Sequence, residues 1–191
     1  NGYSVFCNVL NTSDYTKIPQ NRERTFLICF RNEKDWEFSK NFQKTSSYKF
    51  SQIFPPQKLN NSNHIGKYLE KKVDDKYVYG EEKYMYKELK KSIKSEDTFY
   101  QWRRKYVREN KSNLCPTLTA NMGTGGHNVP LLTQNGIYRK LTPRECFNLQ
   151  GFPKRFKLPK DVPNTQLYKQ AGNSVTVSMI TVLAKLIKKC I

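Results

Sequence analysis

Pro19-Gln20-Asn21-Arg22-Glu23-Arg24-Thr25-Phe26-Leu27-Ile28-Cys29-Phe30 is the stretch on which the rest of the chain is read. Its second half is an unbroken β-type run, which predicts a strand buried on both faces. At a period of two, Gln20, Arg22 and Arg24 share one face of the strand entry, with Asn21 and Glu23 on the other. Two guanidiniums and an amide together form a donor cluster suited to an anion or to a base edge carrying carbonyl oxygens. The same residues also read as a solvated Arg/Glu ladder on an edge strand. Upstream, Val5, Cys7 and Val9 alternate with polar residues and predict a second strand, and residues 11–19 between the two have loop chemistry.

The composition around this stretch is strongly basic. The 191 residues carry a net charge of +18, which opposes a compact fold unless a polyanion binds, and nucleic acid is the leading candidate. A lysine-rich solvated surface is the other reading of the same number. A mean hydropathy of −0.79 leaves only a lean core. No apolar run approaches the length of a membrane span, and no signal peptide is visible at the N-terminus. Five widely spaced cysteines (Cys7, Cys29, Cys115, Cys146, Cys190) fit reduced thiols in a cytosol. Without Cys-x-x-Cys, and with His64 and His127 isolated, no metal site is expected.

Residues 33 to about 130 are rich in Lys, Asn, Ser and Tyr, with turns marked by Pro55-Pro56 and Asn60 to Asn63. Glu81 to Lys94 reads as a charged helix with Tyr84, Tyr86, Leu89 and Ile93 on its apolar side. Basic and aromatic residues interleave from Tyr100 to Arg108, placing Arg103, Arg104 and Arg108 as they occur on nucleic-acid surfaces. Lys83 to Lys111 carries a local charge of +6. The stretch from Asn113 to Asn128 then holds Thr117, Thr119 and Asn121 beside Gly123, Gly125 and Gly126. Glycines there allow backbone N–H groups to approach a phosphate or a groove, and a plain surface loop is the alternative.

Regularity returns after residue 131. Thr142-Pro143-Arg144-Glu145 predicts a helix start with a capping box and proline at the first helical position; Gly151 predicts its end. Val175 to Ile191 is apolar on nearly all sides and reads as a buried terminal helix. Gly172-Asn173-Ser174 is read as the turn that opens it, with free N–H groups able to hold a carboxylate, or else as an ordinary cap.

Taken together and in this order, the blocks resemble the C-terminal half of the DNA (cytosine-5)-methyltransferases of bacterial restriction–modification systems. Pro-Gln-x-Arg-x-Arg resembles that family's eighth motif. Arg139-x-Leu-Thr-Pro-Arg-Glu-Cys followed by Gln150-Gly-Phe-Pro153 resembles the ninth, and Gln170-x-Gly-Asn-Ser-Val175 the tenth. The variable stretch between the eighth and ninth is where the family carries its target-recognition domain.

The resemblance implies an α/β fold. Residues 1–32 would supply edge strands of a Rossmann-like methyltransferase domain, 33–140 a small, irregular β-rich recognition domain, and 141–191 a return segment ending in a helix packed on the catalytic domain. It implies roles as well. Arg22 and Arg24 would hold and polarise the flipped cytosine, with Gln20 in the hydrogen-bond network around it; arginine stays charged and therefore orients rather than acting as a base. Thr117-Leu118 would position the DNA, with Arg103, Arg104, Arg108, Thr119, Asn121 and the glycines on the reading surface. Phe152, Asn173 and Ser174 would border S-adenosylmethionine.

The expected partners are duplex DNA and the family's N-terminal half, in the same or a separate chain; self-association is expected without that half. The setting implied is the bacterial cytoplasm. None of the five cysteines follows a proline, so the family's Pro-Cys nucleophile is not among these residues, and methyl transfer by this chain alone is not expected. A recognition subunit of a split methyltransferase, or a DNA-binding module without chemistry, fits the same residues.

Overall fold

Alternation along the first strand sorts its side chains into two unlike faces. β1 (Tyr3–Asn11) and β2 (Glu23–Arg31) pair antiparallel with Val5 opposite Cys29, Phe6 opposite Ile28 and Val9 opposite Thr25. Phe6, Leu10, Ile28 and Phe30 face inward, and the Phe6 and Phe30 rings meet edge to face at 5.9 Å. Val5, Val9 and Leu27 face outward, Leu27 at 65% exposure. The strand expected to be buried on both faces is therefore covered on one, where the terminal helix and Tyr15 pack against this ribbon. The computed structural model describes residues 3–31, 64–110, 112–124 and 128–188. The turns expected at Pro55-Pro56 and at Asn60 to Asn63, and the glycines Gly125 and Gly126, lie outside the described residues.

The link between β1 and β2 contains a one-turn helix, α1 (Thr12–Tyr15), where a plain loop was expected. Its first amide donates to the Arg22 carbonyl at 2.9 Å. The charged helix expected over 81–94 forms only as α2 (Tyr86–Ser92). Leu89 and Ile93 are buried as expected, but Tyr84 precedes the helix and is 76% exposed.

A four-stranded antiparallel sheet follows, in the order β4-β3-β5-β6. It comprises β3 (Tyr100–Arg103), β4 (Tyr106–Glu109), β5 (Leu131–Gln134) and β6 (Ile137–Lys140). The turn between β5 and β6 is Asn135-Gly136, both with positive φ (52° and 75°), the conformation that a two-residue hairpin requires. Leu131 joins a small core with Met85, Leu89, Ile93, Tyr100 and Val107. Its neighbour Leu132 points the other way, into the main core with Phe99, Leu118, Leu141, Phe147, Leu149 and Tyr168.

α3 (Pro143–Leu149) starts as its sequence dictates. The Thr142 hydroxyl accepts from the Glu145 amide, the Glu145 carboxylate accepts from the Thr142 amide, and Pro143 opens the helix. Gly151, at φ +79°, ends it, and the Phe152 amide reaches back to the Phe147 carbonyl. α4 (Asn164–Asn173) and α5 (Val177–Lys188) complete the chain.

Two expectations change here. Gly172-Asn173-Ser174 closes α4 instead of opening the terminal helix, and the Ser174 amide is spent on the Gln170 carbonyl at 3.0 Å, so it is not free to hold a carboxylate. The segment 141–191 also does not return as one piece. Residues of α3 and α4 share the main core with Ile65, Phe99 and Leu132, whereas α5 packs Met179 and Leu183 on β1 and β2. α5 is buried along that one stripe; Ile180 on its far side is 45% exposed.

Candidate nucleic-acid interface

The strand entry at 19–24 is the point where sequence-distant blocks meet. Gln20 is fully buried. Its amide donates to the Leu149 carbonyl at 2.8 Å and to the Gln150 side chain at 3.3 Å, and its oxygen accepts from the Leu118 amide. Arg22 is 3% exposed. Its Nη1 donates to the Leu118 carbonyl at 2.7 Å, and its Nη2 to the carbonyls of Gly172 at 2.9 Å and Ser174 at 2.7 Å. Burial, aided by the charge of Arg24, lowers the Arg22 guanidinium to about 10. Arg24 lies on the surface, where it donates to the Glu23 carbonyl at 2.6 Å. The shared face expected for Gln20, Arg22 and Arg24 thus divides: two side chains turn inward as struts and one remains outside.

Backbone bonds fasten the 113–121 segment to this entry. The Cys115 amide donates to the Pro19 carbonyl at 2.6 Å, the Asn21 amide to the Cys115 carbonyl at 2.8 Å, and the Thr117 hydroxyl to the Asn21 carbonyl at 2.6 Å. Thr119 and Asn121 are exposed and bonded to each other at 2.5 Å. Two glycines allow α4 to lie against this segment. A Cβ on Gly172 would overlap the Thr119 backbone, and one on Gly123 would overlap the Thr165 backbone. Gly123 therefore lets α4 pack closely on this segment.

Arg103, Arg104 and Arg108 are all exposed on the β3–β4 hairpin, with Arg104 at its tip at φ +52°. The hairpin, the 116–121 segment and Asn21 enclose a polar cleft of about 450 Å³. Two surfaces described above thus come together. The candidate cofactor residues lie apart from each other in kind: Asn173 is exposed, Ser174 bonds the Ala171 carbonyl through its hydroxyl at 2.7 Å, and Phe152 packs edge-on against Phe147 at 5.0 Å and beside Phe156 at 4.8 Å.

Three residues of the ninth-motif block make supporting contacts that the sequence does not show. Gln150 is fully buried and joins Gln20, Ala171 and Thr176. Arg139 and Glu145 form a buried bidentate ion pair at 2.8 and 2.7 Å. The carboxylate also accepts the Glu70 amide at 2.8 Å. The buried thiols Cys115 and Cys146 are pushed well above the usual cysteine range by desolvation, which suits structural and not nucleophilic cysteines.

Residues 1–189 match the model of the C-5 cytosine-specific DNA methylases, and the chain belongs to that family. It is 53% identical to the type II methyltransferase M.Bsp6I of Bacillus sp. (strain RFL6), over 99% of this chain and 56% of that protein. With M.HhaI of Haemophilus parahaemolyticus it shares 33% identity over 95% of this chain and 52% of that protein. The chain thus spans about half the length of the curated relatives it matches. Among solved structures, the α/β fold is similar to that of the Dnmt2 methyltransferase of S. pombe (TM-score 0.61, 20% identity, 98% of this chain and 59% of that one). It is also similar to that of the Entamoeba histolytica methyltransferase EhMeth (TM-score 0.63, 16% identity, 99% and 54%). No helix among the described residues is long and apolar enough to cross a membrane.

Proposed function

We propose that this chain is the DNA-reading and base-holding part of a cytosine-5 DNA methyltransferase of a bacterial restriction–modification system. The observation that carries the reading is Arg22, which ties the strand entry, the 117–119 segment and the end of α4 into one unit. On this reading the ribbon β1–β2 with α5 forms an edge of a Rossmann-like domain, and residues 33–140 form the recognition domain.

Roles then follow from position. Arg24, exposed two residues beyond Arg22, orients the extruded cytosine and stabilises charge developing on it. Gln20 and Arg22 hold the strand entry in place. Thr117, Thr119 and Asn121, with Arg103, Arg104 and Arg108, face duplex DNA. S-adenosylmethionine, when bound, supplies the methyl group. This chain offers one edge of its pocket through the exposed Asn173 amide, since the Ser174 amide and hydroxyl are spent within the chain. The attacking thiolate belongs to the family's Pro-Cys block, in the family's N-terminal half, in the same or a separate chain. The outward face of Val5, Val9 and Leu27 is where that half packs.

The test is a titration of the 191-residue chain with duplex DNA. With about six phosphates contacted, affinity falls roughly a thousandfold between 50 and 200 mM salt. An affinity indifferent to salt would overturn the reading. No adduct forms with 5-fluorocytosine DNA until a polypeptide bearing the N-terminal motifs is added.

A further inference from the structure

We propose that Gln101 is a positioning residue that sets Arg103 and Arg108 to read guanine edges in the major groove of the target site; this rests on the DNA-reading role above. Gln101 stands opposite Arg108 in the β3–β4 pair, and Arg103 lies two residues along the same face. One amide oxygen receives both guanidiniums, from Arg108 Nη2 at 2.7 Å and from Arg103 Nη2 at 3.1 Å.

Packing does not demand this arrangement. The hairpin is held from its other face, where Tyr100 and Val107 enter the small core. Two cations sharing one acceptor repel, a cost offset when an acceptor-rich ligand sits before them. The cleft they line is also faced by Asn21, Thr119 and Asn121, and no carboxylate lines it among the described residues.

The chemistry selects a base edge over a phosphate. A free surface arginine swings to meet backbone phosphates wherever they lie. One held through a single Nη keeps its other donors in a fixed fork, and that fork matches the O6 and N7 acceptors that guanine alone presents side by side. Adenine offers a donor next to N7, and thymine and cytosine offer no such pair. Asn21 adjoins Arg22 and lines the same cleft, so these guanines flank the base that Arg24 holds.

The experiment is selection of duplexes from a randomised pool by the chain, followed by anisotropy titration of the selected and scrambled duplexes. The parent enriches sites with two invariant guanines. Arg103→Ala and Arg108→Ala each relax one of them by about tenfold, and Gln101→Met relaxes both. Gln101→Glu, which keeps the acceptor, retains the preference. The thermal midpoints of Gln101→Met and Gln101→Glu, and the affinity of Gln101→Met for scrambled duplex at low salt, stay near the parent's, a split that loss of folding would not produce. Enriched sites without guanine, or guanine preference unchanged in Gln101→Met, would overturn this inference alone. Absence of salt-dependent duplex binding by the parent would overturn the DNA-reading role and this inference with it.

Discussion

Arg22 and Gly172, 150 residues apart in the chain, are joined by a 2.9 Å hydrogen bond from a guanidinium to a backbone carbonyl. With the bonds to Leu118 and Ser174, that guanidinium closes three chain segments on one another. Arg24, two positions on, is at the surface. The two arginines of one motif should therefore fail differently. Arg22→Met leaves three carbonyls, those of Leu118 and Gly172 buried, short of a donor and should cost about 3 kcal/mol in urea unfolding. Arg24→Ala should stay within about 0.5 kcal/mol, while methylation by the complete enzyme falls on the order of a hundredfold. Similar stability losses for both would contradict this division.

Glycine substitutions give a second check, with an internal control. Gly172→Ala and Gly123→Ala each force a methyl into a neighbouring backbone, so each should destabilise by about 1–3 kcal/mol. Gly66→Ala meets nothing within 4 Å and should be neutral or gain a few tenths of a kcal/mol. Thermal midpoints of the three variants decide the matter.

The buried pair between Arg139 and Glu145 predicts an asymmetry. Glu145→Gln leaves a fully desolvated guanidinium without its counter-charge and should cost about 3–5 kcal/mol. Adding Arg139→Met to that variant should recover part of the loss, because the uncompensated charge goes with it. A double variant less stable than Glu145→Gln alone would show that the pair's geometry, and not its charge, sets the cost.

Alkaline pH should weaken the fold. Burial raises the Cys115 and Cys146 thiols and the Tyr168 phenol above their ordinary ranges. Groups raised in the folded state contribute stability that is complete below their unfolded values, from about 8.5 for cysteine, and that drains away as pH rises. Urea midpoints should fall between pH 8 and 10, and Cys115→Ala with Cys146→Ala should flatten the decline. Alkylation mapped by peptide mass should mark Cys7 and Cys29 quickly and spare Cys115 and Cys146 until unfolding.

Local signals in the chain were read with success where a single short segment carries the physics. The Thr142–Glu145 box and the Gly151 stop need no distant partner. Asn135-Gly136 between alternating residues is an equally local hairpin signal. α4 was missed because a polar helix ending in Gly-Asn resembles a loop, although Leu167, Tyr168 and Ala171 recur at helical spacing. The fate of the arginines was not legible. Period two correctly groups Gln20, Arg22 and Arg24, but which of them turns inward depends on carbonyls supplied from residues 118, 172 and 174. The same holds for Glu145, whose cap was visible and whose ion pair with Arg139 was not.

Leu131 and Leu132, on opposite faces of one strand, give the hairpin that carries Gln101, Arg103 and Arg108 a foundation distinct from that of the strand entry at 19–24. Surface residues of the hairpin can be exchanged while Tyr100, Val107 and Leu131 keep it anchored. If the hairpin reads the target as proposed, its preference can drift in a lineage by a few codon changes at the outer face, while the separately anchored strand entry stays as it is.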